Sequence, residues 1–81
     1  MKNLNTYTGT LHITGRENNS VMGNPRYRAF LKLTDEDDGF EVLTKPNCMI
    51  GYKITNYNGK RVTVQLGTYH KRLNIYSIKE A

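Results

Sequence analysis

The sequence predicts a mainly all-β fold, a small five-stranded barrel, from three observations. Five short runs are rich in strand formers and mostly alternate apolar with polar residues, the period of a half-buried strand. Turn residues separate them, among them Gly23-Asn24-Pro25, Asp37-Asp38-Gly39 and Asn58-Gly59. One segment with helical spacing interrupts them between the third and fourth runs. A five-stranded barrel with a short helix there has the strand order of an OB-like fold, and an SH3-like barrel is the alternative. Closure of either barrel removes bare sheet edges.

The first strand covers 7–14. Tyr7, Leu11 and Ile13 share one face; Thr8, Thr10, His12 and Thr14 share the other. Residues 15–25 read as a long loop, closed by Pro25, which cannot donate to a ladder. Its Asn and Ser side chains bond nearby backbone, so the loop is expected to be ordered, and its length favours a role beyond joining. The second strand covers 26–33. Tyr27, Ala29, Leu31 and Leu33 face one way, Arg26, Arg28, Phe30 and Lys32 the other. Asp37-Asp38-Gly39 then turns the chain into a third strand, 40–44.

Pro46 ends that strand, and Asn47 is a good helix N-cap. Ile50 and Ile54 have helical spacing within 48–54. Gly51 lowers the propensity, so burial must hold these one or two turns. Asn56 to Gly59 is a turn. The fourth strand, 60–66, points Val62, Val64 and Leu66 inward, and residues 67–72 read as a second loop. In the last strand, 73–78, the apolar parity switches between Ile75 and Tyr76, which predicts a bulge or a strand serving two faces. Met49 joins the expected core with the inward residues of the strands.

Eighty-one residues make one domain. No apolar run approaches the ~20 residues of a membrane span, and Met1 to Thr6 has no apolar leader, so a cytoplasmic protein is expected. Cys48 is alone, which excludes an internal disulfide and a cysteine zinc site. A domain this small buries only ~60% of its unfolded surface, so a homodimer stays open as an assembly.

The formal net charge is +5, unevenly placed. Asp35, Glu36, Asp37, Asp38 and Glu41 crowd into seven positions; the twelve Lys and Arg face only Glu17 and Glu80 elsewhere, a balance of +10. Such a body attracts polyanions. The acidic run lacks the spacing and final bidentate Glu of a calcium loop and reads as a solvated turn.

Catalysis finds no constellation. His12 and His70 are the only imidazoles, His12 on the polar face of a strand and His70 in a loop beside Lys71, so both read as solvated, and no phosphate-cradling glycine motif or HExxH occurs. No cofactor or metal is expected. Cys48, beside Met49 and Ile50, reads as a core thiol.

Binding finds two regions that mix cations with aromatics: Arg26, Arg28, Phe30 and Lys32 on one strand face, and Tyr69-His70-Lys71-Arg72 before the last strand. Cations neutralise phosphates and rings stack on bases. An OB-fold binds oligonucleotides on strands two and three and on the loops after strands one and four. Here those elements hold Arg16, Arg26, Arg28, Phe30, Lys32, Tyr69, Lys71 and Arg72. The expected function is non-enzymatic nucleic-acid binding, single strands favoured. The alternative is an inhibitor that docks on a protein, for which six tyrosines offer contact area.

Thr8-Gly9-Thr10-Leu11-His12-Ile13, followed by Asn19-Ser20-Val21-Met22-Gly23-Asn24-Pro25-Arg26-Tyr27, resembles small bacteriophage and prophage proteins with a TGTLxI strand and an NSxxGNPR[YF] loop. Residues 50–64 are similar to a later segment of theirs that ends in VTV, although the acidic run here is longer than their tight DDG turn. The resemblance implies a viral accessory protein in the host cytoplasm, with no activity to carry over. Such proteins often serve DNA metabolism or block host defence, as anti-CRISPR inhibitors and nucleotide-signal sponges do.

Overall fold

The computed structural model describes residues 4–17, 23, 25–45 and 49–81. Five strands form a closed barrel: β1 (Asn5–Glu17), β2 (Arg26–Lys32), β3 (Phe40–Thr44), β4 (Arg61–Tyr69) and β5 (Arg72–Glu80). Around the barrel the order is β1-β2-β3-β5-β4, and β4 closes on β1. Only the β3–β5 seam is parallel. A short helix, α1 (Ile50–Lys53), runs into a 3-10 turn (Ile54–Tyr57) between β3 and β4. This is the OB-like order expected from the sequence. No described helix is long and apolar enough to cross a membrane.

The inward residues pack as one core of Leu11, Ala29, Leu31, Val42, Ile50, Ile54, Val62, Val64, Leu66, Ile75 and Ile78. Tyr7 and Phe40 close it with an edge-to-face pair, ring centroids 5.9 Å apart. Met49 is not in this core: it precedes the first helical residue and is 67% exposed.

Burial explains why α1 forms around a glycine. Ile50 and Ile54 drop into the barrel end, while the Gly51 Cα lies against the carbonyl oxygen of Pro25, where any Cβ would overlap backbone. Met49 provides no side-chain cap. The turn after the helix is stitched to β1: Asn58 Oδ1 accepts the Ile13 N–H at 2.8 Å, and Leu11 O accepts the Gly59 N–H at 2.7 Å. The Asn47 cap, the Cys48 core position and most of the 18–24 loop lie outside the described residues.

Parts of two expected loops are instead strand. β1 runs on through Gly15 and Arg16 to Glu17, because one extra residue, Thr14, bulges between the Ile13–Ala29 and Gly15–Arg28 pairs. The 67–72 segment continues β4 to Tyr69 and turns tightly through His70 (φ 52°) and Lys71 (φ 64°) into β5. Gly67 reads as a breaker but is a packing position: its absent Cβ leaves room for Leu4 and Tyr76. The bulge expected at Tyr76 is present, between the Leu66–Ile75 and Gln65–Ser77 pairs.

Candidate nucleic-acid interface

Strand alternation places Arg28 and Phe30 of β2 on the outside of the barrel, and β3 sets Glu41 beside Phe30 and Leu43 beside Arg28. The Phe30 ring is 38% exposed, with His12 as its cross-strand neighbour on β1. Leu43 is buried on this outward side, as expected beneath long arginine stems. Lys32 continues the row, its chain lying over Gly39.

The Thr14 bulge builds the rest of the face. Without it, strict alternation from Leu11 and Ile13 would turn Gly15 and Glu17 toward the core. With it, they stand outward beside Arg28 and Arg26. A Cβ on Gly15 would come within 2.6 Å of Arg28 Nη2, so the glycine makes room for that guanidinium. Arg28 Nε lies 3.0 Å from Glu17 Oε2. That nitrogen is buried and its N–H is not aligned on the carboxylate, so the contact is an ion pair rather than a directed hydrogen bond.

Arg72 arrives from the β4–β5 hairpin. Its Nη1 lies 3.8 Å from Glu17 Oε1, and its Nη2 donates to Glu41 Oε1 at 2.7 Å. Two basic stretches far apart in sequence are thereby joined through the one carboxylate of Glu17. The network is part-exposed, so each pair stabilises the fold only weakly, ~0–1 kcal/mol.

The hairpin tip is tied down from beneath. Asn74, fully buried, donates through Nδ2 to the carbonyls of Arg72 (3.0 Å) and Tyr69 (3.4 Å). The Tyr69 and His70 rings meet edge to face at 4.2 Å, and Lys71 stands exposed at the apex.

Two expected contacts are placed differently. Arg26 turns back into the β2–β3–β5 junction, where Nε donates to Thr44 O at 3.2 Å and Nη2 reaches Asn74 Oδ1 at 3.5 Å. The Tyr27 N–H donates to the buried Thr44 Oγ1 at 3.0 Å, so the same threonine fixes two neighbours. Arg16 is paired with Tyr27 on the other side of the sheet, its guanidinium 5.5 Å from that ring centroid. The face thus unites Arg28, Phe30, Lys32, Tyr69, Lys71 and Arg72 and leaves Arg16 and Arg26 apart. Glu17, Glu41 and His12 belong to it without having been expected there.

The acidic loop divides as well. Asp37 Oδ1 accepts the Gly39 N–H at 3.1 Å and Oδ2 the Leu33 N–H at 3.3 Å. These bonds, Gly39's first, hold its carboxyl below the usual carboxylate range. Asp35, Glu36 and Asp38 point to solvent. Among the described residues, no cluster of His, Cys, Asp and Glu could hold a metal.

A second outward face, on β1, β4 and β5, has an open depression of about 370 Å³ lined by Thr6, Thr63, Val64, Gln65, Ser77, Ile78 and Lys79. It offers one cation, Lys79, with hydroxyls and an amide, of which Thr63, Ser77 and Gln65 are already paired as Thr8–Thr63 and Ser77–Gln65, and no ring. No family model, curated protein or solved structure matches the chain.

Proposed function

We propose that this protein is a non-enzymatic accessory module that binds single-stranded nucleic acid in the cytoplasm of a phage-infected bacterium. The observation that carries the reading is the meeting of Arg28 and Arg72 beside the exposed ring of Phe30. Guanidinia bind phosphate through forked donors, and a ring stacks on any base, so the pattern suits strand binding with little sequence preference. Glu17 and Glu41 balance the two guanidinia, so Lys32 and Lys71 supply the net positive charge of the face; Tyr69 offers a second ring.

Fluorescence anisotropy with single-stranded DNA, single-stranded RNA and duplex at ~50 and ~200 mM salt tests it. Affinity for the single strands is expected to fall steeply between those salts, as contacts to phosphate do. Absence of binding to every oligonucleotide at the lower salt sinks the reading.

A second reading, an anti-defence inhibitor that binds a host protein, has one observation in its favour. Met49 and Tyr52, three residues apart at the start of α1, are 67% and 57% exposed. Exposed apolar residues side by side are a common interface feature. A stoichiometric complex captured from host lysate and unchanged by nuclease favours this reading; loss of the complex on nuclease treatment favours the first.

A further inference from the structure

We propose that the space between Arg28 and Arg72 is a seat for a terminal phosphate, a phosphomonoester, which the Glu17 carboxylate fills in the free protein. The inference rests on the nucleic-acid reading and narrows its ligand to strands that end in phosphate.

One carboxylate lies within ion-pair distance of both guanidinia, 3.0 Å from Arg28 and 3.8 Å from Arg72, on its two separate oxygens. This is how a bridging oxyanion engages two arginines. Glu17 is the recessed member of the group, with its side chain 25% exposed against 42% for Arg28 and 46% for Arg72. The carboxylate therefore sits within the pair of cations, not on their rim. The pair is also placed in advance. Gly15 clears the Arg28 guanidinium, and Glu41 holds the far nitrogen of Arg72 at 2.7 Å.

Charge decides which phosphate can take this place. An internal phosphodiester carries one negative charge, the same as Glu17, so exchanging one for the other gains little Coulomb energy. A terminal phosphomonoester carries about −1.5 to −2 near neutral pH. It adds up to about one further charge; each guanidinium attracts that charge by ~1 kcal/mol in water, and the Glu41 carboxylate beside Arg72 offsets about one of the two, which leaves a factor of about five in affinity. Glu17 would thus act as an internal competitor that internal phosphates only match and terminal phosphates beat. It sets how tightly any phosphate is held there, and the charge of the phosphate against the two guanidinia sets the preference for strand ends.

The test compares one single-stranded oligonucleotide with a 5′-phosphate and with a 5′-hydroxyl, by anisotropy at low salt. The wild type is expected to prefer the phosphorylated strand about fivefold. Glu17→Gln should raise the affinity of both strands and leave a preference of about fivefold or more, whereas Arg28→Gln should shrink the preference to within about twofold. Glu80→Gln removes the same charge beside Lys60, elsewhere on the barrel, and should leave both affinities within about twofold. Equal wild-type affinity for the two strands overturns the seat, and so does a preference that survives Arg28→Gln undiminished or a Glu17→Gln affinity no higher than that of Glu80→Gln. If neither strand binds, the nucleic-acid reading fails, and inorganic phosphate alone decides the seat. In that arm the Nε–H signals of Arg28 and Arg72 should shift together in NMR spectra of Glu17→Gln. No shift overturns the seat as well.

Discussion

The guanidinium of Arg28 lies over Gly15, with Nη2 2.6 Å from where a Cβ would stand. The obstacle is the far end of a flexible side chain, so Gly15→Ala can be accommodated by moving Arg28. Stability should change by only ~0.5 kcal/mol, the usual surface range. Oligonucleotide affinity should fall about threefold, because the cation leaves its place beside Arg72. Urea unfolding and anisotropy on the same variant check this. A large stability loss with binding retained would contradict it.

Gly51 presents the opposite case. The atom in the way is the Pro25 carbonyl oxygen, which is backbone and cannot swing aside. Helix propensity alone would make Gly51→Ala stabilising by up to ~1 kcal/mol. Overpacking against a fixed group costs ~1–3 kcal/mol, so the net sign should be destabilising. A lowered urea midpoint with an unchanged slope is the expected result.

The strands were legible in the sequence wherever apolar alternation was uninterrupted. β3 begins and ends at the expected Phe40 and Thr44, and the parity break at Tyr76 marked a real bulge. What could not be read were the places where one residue resets the register. Nothing in Thr14 announces a bulge, so Glu17 could not be placed on the outward face, and without Glu17 the link between Arg28 and Arg72 is invisible. The β4–β5 turn was hidden for a related reason. His70 and Lys71 adopt left-handed backbone that composition assigns to Asn or Gly, so the tight hairpin resembled a loop.

That turn carries its own prediction. Two consecutive non-glycine residues at positive φ are unfavourable, and Asn-Gly is the preferred pair for such a hairpin. The double variant His70→Asn/Lys71→Gly should gain ~1 kcal/mol and melt ~4–8 °C higher. It should also bind single strands more weakly, with the salt slope reduced by about one-half to one, since the exposed Lys71 cation is gone. A gain in stability without a weaker salt dependence would remove Lys71 from the interface.

The Asp37 carboxylate gives the fold a pH dependence of known sign. The Gly39 and Leu33 N–H groups lower its folded value below the unfolded one. Its stabilising contribution is therefore complete above the ordinary carboxylate value of ~3.9 and is lost as pH falls through the lower, folded value. Asp37→Asn offers one acceptor oxygen in place of two and cannot titrate. Urea midpoints measured from neutral pH downward should fall less steeply for this variant below about pH 4 than for the wild type. Parallel curves would mean that the two N–H bonds do not favour the charged form.

Arg26 and its neighbour Arg28 should separate stability from binding. Both face outward by alternation, yet Arg26 spends its donors on Thr44 O and Asn74 Oδ1, at the seam where β3 and β5 run parallel for only two residue pairs. Asn74 in turn holds the carbonyls of Tyr69 and Arg72. Arg26→Met keeps the stem and removes these charge-assisted bonds. It leaves a buried Asn74 oxygen without that donor, a loss of ~1–3 kcal/mol. The folded fraction should bind oligonucleotides within about twofold of wild type, because this guanidinium faces protein rather than solvent. Arg28→Gln should do the reverse: stability within ~1 kcal/mol, since its ion pair is half-exposed, and affinity lower by tenfold or about 1.4 kcal/mol. If both variants lose binding equally at matched folded fraction, the seam and the interface are one surface, and the division drawn between these two arginines is wrong.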